Sequence, residues 1–162
     1  MNEKLKRYEP LVVLFLVLEL GALAIEFSHR DFSAMRLMSA FMGLFFLTFA
    51  LFKLVDLNGF ARGFAKYDLI AGHSSTYAKL YPFLELGLAV LYLSRHYPFF
   101  ANIFTLALMA ISAAGVIRSL RRGDNPDCAC LGTVLKVPLS TVSAVENIGM
   151  GLMALAMLAA GH

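Results

Sequence analysis

Charged side chains are scarce in this chain: Asp, Glu, Lys and Arg together make up 15% of it, where soluble domains carry about a quarter. That scarcity excludes an ordinary soluble domain. No polar block of domain size interrupts the 162 residues, so a single integral membrane domain spanning 1–162 is the economical partition. An internal repeat of the kind that marks duplicated transporters is missing, as is any low-complexity tract. Equally missing are a Gly-rich phosphate loop, paired Cys-x-x-Cys zinc motifs and a Ser-His-Asp arrangement. Cysteine is nearly absent too. The chain has two, Cys128 and Cys130, in the stretch "PDCACLGTV" with one alanine between them.

What is abundant is apolar surface: 59% of the residues are hydrophobic and the mean hydropathy is +0.72. A hydrocarbon core of roughly 30 Å takes about 20 helical residues to cross. Apolar runs bounded by charges and turn residues fall at Leu11–Phe27, Met35–Val55, Leu80–Leu93, Phe99–Leu120 and Ser140–Ala160. They predict an all-α polytopic bundle of about five transmembrane helices. The N-terminal "MNEKLKR" followed by "LVVLFLVLELGALAI" has the outline of a signal peptide. Its length, Glu19, Glu26 and the want of a small-x-small cleavage site favour a retained first helix. The third run is short unless it reaches back through Tyr77, and Pro82 is expected in its first turn, where a missing N–H is tolerated. Between the second and third runs, "DLNGFARGFAKYDLIAGHSSTY" repeats Phe60, Phe64 and Tyr67 at helical spacing. It is expected to lie in the interface with its aromatics at the headgroups; a re-entrant segment packed inside the bundle is the sharper alternative.

Lys and Arg set the orientation. With the N-terminus inside, the inner face receives Lys4, Lys6, Arg7, Lys53, Arg62, Lys66, Lys79, Arg118, Arg121, Arg122 and Lys136, eleven in all, and the outer face only Arg30, Arg36 and Arg95. That bias predicts a cytoplasmic N-terminus, an external C-terminus and a cytoplasmic cysteine loop. The net charge of +3 is absorbed by orientation and needs no nucleic-acid partner.

The cysteines are the only strong nucleophile or soft-ligand candidates. Arg121 and Arg122 nearby favour the thiolate, while Asp124 and Asp127 oppose it. A Cys-x-Cys disulfide closes a very small ring, strained and easily reduced, and as a staple it would remove little denatured-state entropy. Thiol redox is one reading, with a thioredoxin-like or other thiol protein as partner and a thiol-disulfide oxidoreductase as the enzyme class. A clamp for a soft ion such as Cu(I), Hg(II) or Zn(II), using Cys128 and Cys130 as metal ligands, is the second. A non-catalytic assembly partner with incidental cysteines is the third.

Four carboxylates fall in or near the membrane, where ionisable groups are costly unless they face the bundle interior. Glu19 and Glu26 are expected to be neutral and hydrogen-bonded between helices. Glu85, and Glu146 beside Asn147, lie towards the cysteine end, where either could exchange protons with the thiols or pair with Lys53. Lys53 itself would ordinarily snorkel to the interface, with Asp56 near it; Tyr67 would touch headgroups and Asp68 act as a cap. Met35, Met38 and Met42 recur at helical spacing and are expected to pack, and His73 to be a surface residue.

The stretches "GLFFLTFALFKLVDLNGFARGFAKYDLI", "YPFLELGLAVLYL" and "CACLGTVLKVPLSTVSAVENIGM" resemble the methylamine-utilisation MauE family, within the wider DoxX-like group of small redox-associated membrane proteins. The resemblance covers roughly residues 40–158. It implies a four-helix core, here preceded by one additional helix, in a bacterial inner membrane. It also implies a supporting role in disulfide formation or maturation of another protein. Carried over position by position, the family pattern falls on Lys53, Asp56, Tyr67, Pro82, Glu85, Cys128, Cys130, Gly132 and Asn147.

Overall fold

The computed structural model describes residues 9–29, 31–122 and 139–161, of which 139–145 are described by their backbone alone. Their secondary structure is helical: α1 (Glu9–Phe27), α2 (Ala34–Val55), α3 (Leu57–Phe64), α4 (Ser75–Ser94), α5 (Pro98–Arg121) and α6 (Leu139–Ala159). By length and composition α1, α2 and α5 can each cross a membrane. With 20 and 21 residues, α4 and α6 match the same thickness at about 1.5 Å per residue. The architecture is a helical membrane bundle in which α2 pairs with α4, α5 pairs with α6, and α1 packs on α2.

Helix association inside lipid lacks a hydrophobic drive and relies on close packing and interhelical hydrogen bonds. Small residues on α2 supply both. A Cβ on Gly43 would come within 2.6 Å of the Leu93 side chain, and Ser39 Oγ donates to the Tyr92 carbonyl at 2.9 Å. The Tyr92 hydroxyl is in turn bonded to Asn102 Oδ1 (2.8 Å) and Thr105 Oγ1 (3.0 Å), which ties α4 to α5. Between these helices Arg95 closes α4 at φ 56° and Pro98 opens α5 at a position where its missing N–H is harmless.

α1 turns Leu11, Leu18, Ala22 and Glu26 towards the bundle, a spacing that keeps them on one helical face. Phe15 meets Phe41 and Phe45 on α2, with ring centroids 6.3 and 5.8 Å apart. The two glutamates of α1 depart from expectation. Glu26 is not a neutral interhelical acid: Arg36 grips it from both sides, Nη2 to Oε1 at 2.7 Å and Nε to Oε2 at 3.1 Å, and the Ser33 N–H donates at 2.6 Å. Glu19 is exposed on the outer side of α1.

Pro82 corrects a second expectation. α4 begins at Ser75, capped by Ser74, whose hydroxyl accepts from the Tyr77 N–H at 3.2 Å. Pro82 therefore sits in the helix interior and deprives the Ala78 carbonyl of its usual donor.

The segment after α2 is the third. Phe60, Phe64 and Tyr67 are all buried: the aromatic face of α3 turns into the protein and packs against the Tyr81 ring of α4 in tilted contacts rather than meeting headgroups. The chain beyond α3 is pressed against α5 at Gly115, where a Cβ would stand 2.6 Å from the Tyr67 carbonyl oxygen and 3.0 Å from the Asp68 Cα. Both neighbours are backbone and cannot swing aside. Gly115→Ala is accordingly expected to lower stability by about 1–3 kcal/mol, despite alanine's better helix propensity, and thermal unfolding in detergent measures it.

Candidate functional site

Phe45, Phe49 and Lys53 follow one another at four-residue intervals along α2, and Tyr81 and Glu85 do so along α4. Such spacing stacks side chains on one helix face. The paired helices bring these faces together, α3 adds Phe60 and Phe64, and α5 and α6 close the far side with Met109, Ser112, Glu146 and Asn147. Together with Tyr67 they line a cavity of about 30 Å³, room for a single water.

The centre of this site is an ion pair. Lys53 is buried, not snorkelled, and its Nζ donates to Glu85 Oε1. The ammonium also lies 5.0 Å from the Tyr81 ring centroid and 5.6 Å from that of Phe60, so aromatic faces share its charge where water is excluded. Glu85 Oε2 is buried with no hydrogen-bond partner among the described residues, leaving an acceptor at the cavity wall. Glu146 is buried in the same wall, and beside it Asn147 Nδ2 donates to Ser112 Oγ at 3.3 Å.

Of the residues singled out in the sequence, Lys53, Tyr67, Glu85, Glu146 and Asn147 thus meet around one cavity. Asp56 does not join them: it caps α3, accepting from the Gly59 N–H at 2.8 Å. Cys128 and Cys130, with Gly132, lie outside the described residues. Sequence reading missed Ser112, whose only cue was its place among the small residues of "ISAAG", and it missed the aromatic box around the lysine. Among the described residues no three His, Cys, Asp or Glu side chains gather as a metal would need. Met42 is buried and Met35 and Met38 pack against the core, while His73 is exposed.

Asp68, in the loop between α3 and α4, acts as a local cap: Oδ1 accepts from the Ile70 and Ala71 N–H groups, each at 2.9 Å. Burial pushes its carboxyl above the ordinary carboxylate value, with the two backbone bonds pulling the other way. A folded-state value above the unfolded one means that the stability gained from the neutral form is present at low pH. It is lost as pH rises through the folded value. Asp68→Asn keeps an acceptor oxygen and removes that titration. The variant is expected to melt higher than the parent at pH 7 and no higher at pH 4, a comparison that thermal unfolding at the two pH values supplies.

Comparison with curated proteins and with solved structures returns no match. A family model does match: that of methylamine utilisation protein MauE, over residues 31–160. The match begins just ahead of α2 and covers every helix that lines the cavity, while α1 stands outside it. An integral membrane bundle matched over this span, with α1 as an addition, belongs to the MauE family.

Proposed function

We propose that this chain is a membrane thiol-disulfide redox protein that supports disulfide formation or maturation of a partner protein through Cys128 and Cys130. The observation that carries this reading is the convergence of Lys53, Tyr67, Glu85, Glu146 and Asn147 on one water-sized cavity. It lies near the C-terminal end of α2 and the N-terminal half of α6, the helix that the cysteine-bearing connection from α5 leads into. Buried ionisable groups of this kind are costly in a membrane and are retained where protons or charge are handled.

In the exchange, a partner thiolate attacks one sulfur of the Cys128–Cys130 disulfide. That S–S bond breaks and a mixed disulfide forms. The partner's second thiolate displaces the bound cysteine, so the partner loses two electrons and the pair becomes a dithiol. The two protons given up by the partner thiols are taken up by the two cysteines. Glu85 Oε2 can hold a proton in transit, and the Lys53 ammonium balances the carboxylate once that proton has been passed on. A thioredoxin-like disulfide carrier regenerates the pair by the reverse exchange.

Differential alkylation of native membranes after mild oxidant and after reductant tests this. Redox-dependent protection of both cysteines is expected; thiols that stay free and unreactive under oxidant sink the proposal. Stoichiometric, cysteine-dependent soft metal without redox cycling would assign the pair to metal binding instead. Oxidation of an exported partner needs equivalents outside, whereas the charge count predicts the loop inside. Labelling Cys128 with an impermeant thiol reagent from each face therefore fixes which partner pool the pair serves.

A further inference from the structure

Beyond Tyr67, which lines both, lies a second cavity of about 160 Å³ between the loop that follows α3 and the C-terminal turn of α5. Its chemistry is unlike the first. Lys66, His73, Arg118 and Arg122 surround it, with Asp68 and Ser119 in its wall. The four basic residues are exposed, whereas Ser119 and Asp68 are each 4% exposed. Ser119 Oγ and Asp68 Oδ2 are buried with no hydrogen-bond partner among the described residues. Polar atoms so placed cost free energy unless something bonds them.

We propose that this cavity binds a phosphate-bearing anion, held by Lys66, Arg118 and Arg122 at its mouth and by the Ser119 hydroxyl at its floor. Three permanent cations outweigh the one carboxyl. Burial, moreover, pushes the Asp68 carboxyl towards its neutral form, which lessens its repulsion of an anion. The cavity is far roomier than one water requires, and two arginines supply the planar donor forks that suit phosphate oxygens. It sits at the end of the bundle where the basic residues gather, the face that meets anionic lipid in a positive-inside arrangement. The phosphate can therefore come from an anionic lipid headgroup or from free phosphate, and the chemistry of recognition is shared.

Melting of the purified full-length protein in detergent, titrated with dihexanoyl phosphatidylglycerol, with dihexanoyl phosphatidylcholine and with inorganic phosphate, separates the sources. Phosphatidylglycerol is expected to raise the melting temperature and phosphatidylcholine to leave it unchanged. A matching rise with inorganic phosphate assigns the site to free phosphate, and a rise with phosphatidylglycerol alone assigns it to the headgroup. Lys66→Gln and Arg118→Gln, both at exposed positions, should each weaken the apparent affinity roughly fivefold. Ser119→Ala, which alters no charge, should weaken it by a smaller step. A protein that responds to neither phosphate compound, or whose response survives in the Lys66→Gln/Arg118→Gln variant, overturns the proposal.

Discussion

Lys53→Met is expected to cost about 3–5 kcal/mol of stability, because it strands the Glu85 carboxylate in a bundle core without its counter-ion. Glu85→Leu should cost a similar amount by stranding the ammonium. The informative variant is the pair. Buried ion pairs replaced by apolar groups of similar volume are often neutral or stabilising, so Lys53→Met/Glu85→Leu should regain most of what either single change loses. Unfolding of all four proteins in detergent closes the cycle and gives the coupling energy directly. If the double variant is as unstable as the sum of the singles, Lys53 and Glu85 do not act on each other. Under the proposed function the same refolded double variant should exchange disulfides roughly 10²-fold more slowly, the low end of what general acid–base groups contribute. Stability recovered without activity would separate the chemical use of the pair from its packing.

The second large effect concerns the thiols. Replacing the attacking cysteine, whether Cys128 or Cys130, with serine should reduce exchange by at least about 10³-fold, the scale on which removing a covalent nucleophile acts. Replacing its companion should do something different. The remaining cysteine can still attack the oxidised carrier and form a mixed disulfide, but no second thiolate is left to resolve it, so the protein should accumulate covalently joined to that carrier on a non-reducing gel. The two single variants thus sort the roles. Neither substitution should shift the melting temperature by an amount comparable to Lys53→Met. Retained exchange in the double-serine variant would leave the chain as a non-catalytic assembly partner.

The sequence disclosed the long helices because each is a sustained apolar run between charged or turn-forming residues. It disclosed the family through Lys53, Glu85 and the cysteine loop. What it concealed was direction. Phe60, Phe64 and Tyr67 at helical spacing look the same whether the helix shows them to headgroups or to protein, and only Tyr81 arriving from α4 decides between the two. The start of α4 was hidden for a related reason: "STYAKL" is too polar to read as membrane-spanning, yet Ser74 caps it and the helix continues straight through Pro82. Local pattern leaves Lys53 with two readings, snorkelling or pairing with a carboxylate such as Glu85, and only the packing of α4 on α2 decides for the pair. Glu26 reads as a neutral acid hydrogen-bonded between helices, whereas the turn between α1 and α2 brings Arg36 back to it as an ionic partner.

The separation between Lys53 and Glu85 also bears on how the protein is made. The lysine emerges from the ribosome 32 residues ahead of the glutamate, and until that partner exists its ammonium has no reason to leave water for the hydrocarbon core. The last turn of α2 is therefore expected to stay hydrated at the membrane surface until Glu85 has been synthesised, so that α2, α3 and α4 complete their insertion as a unit.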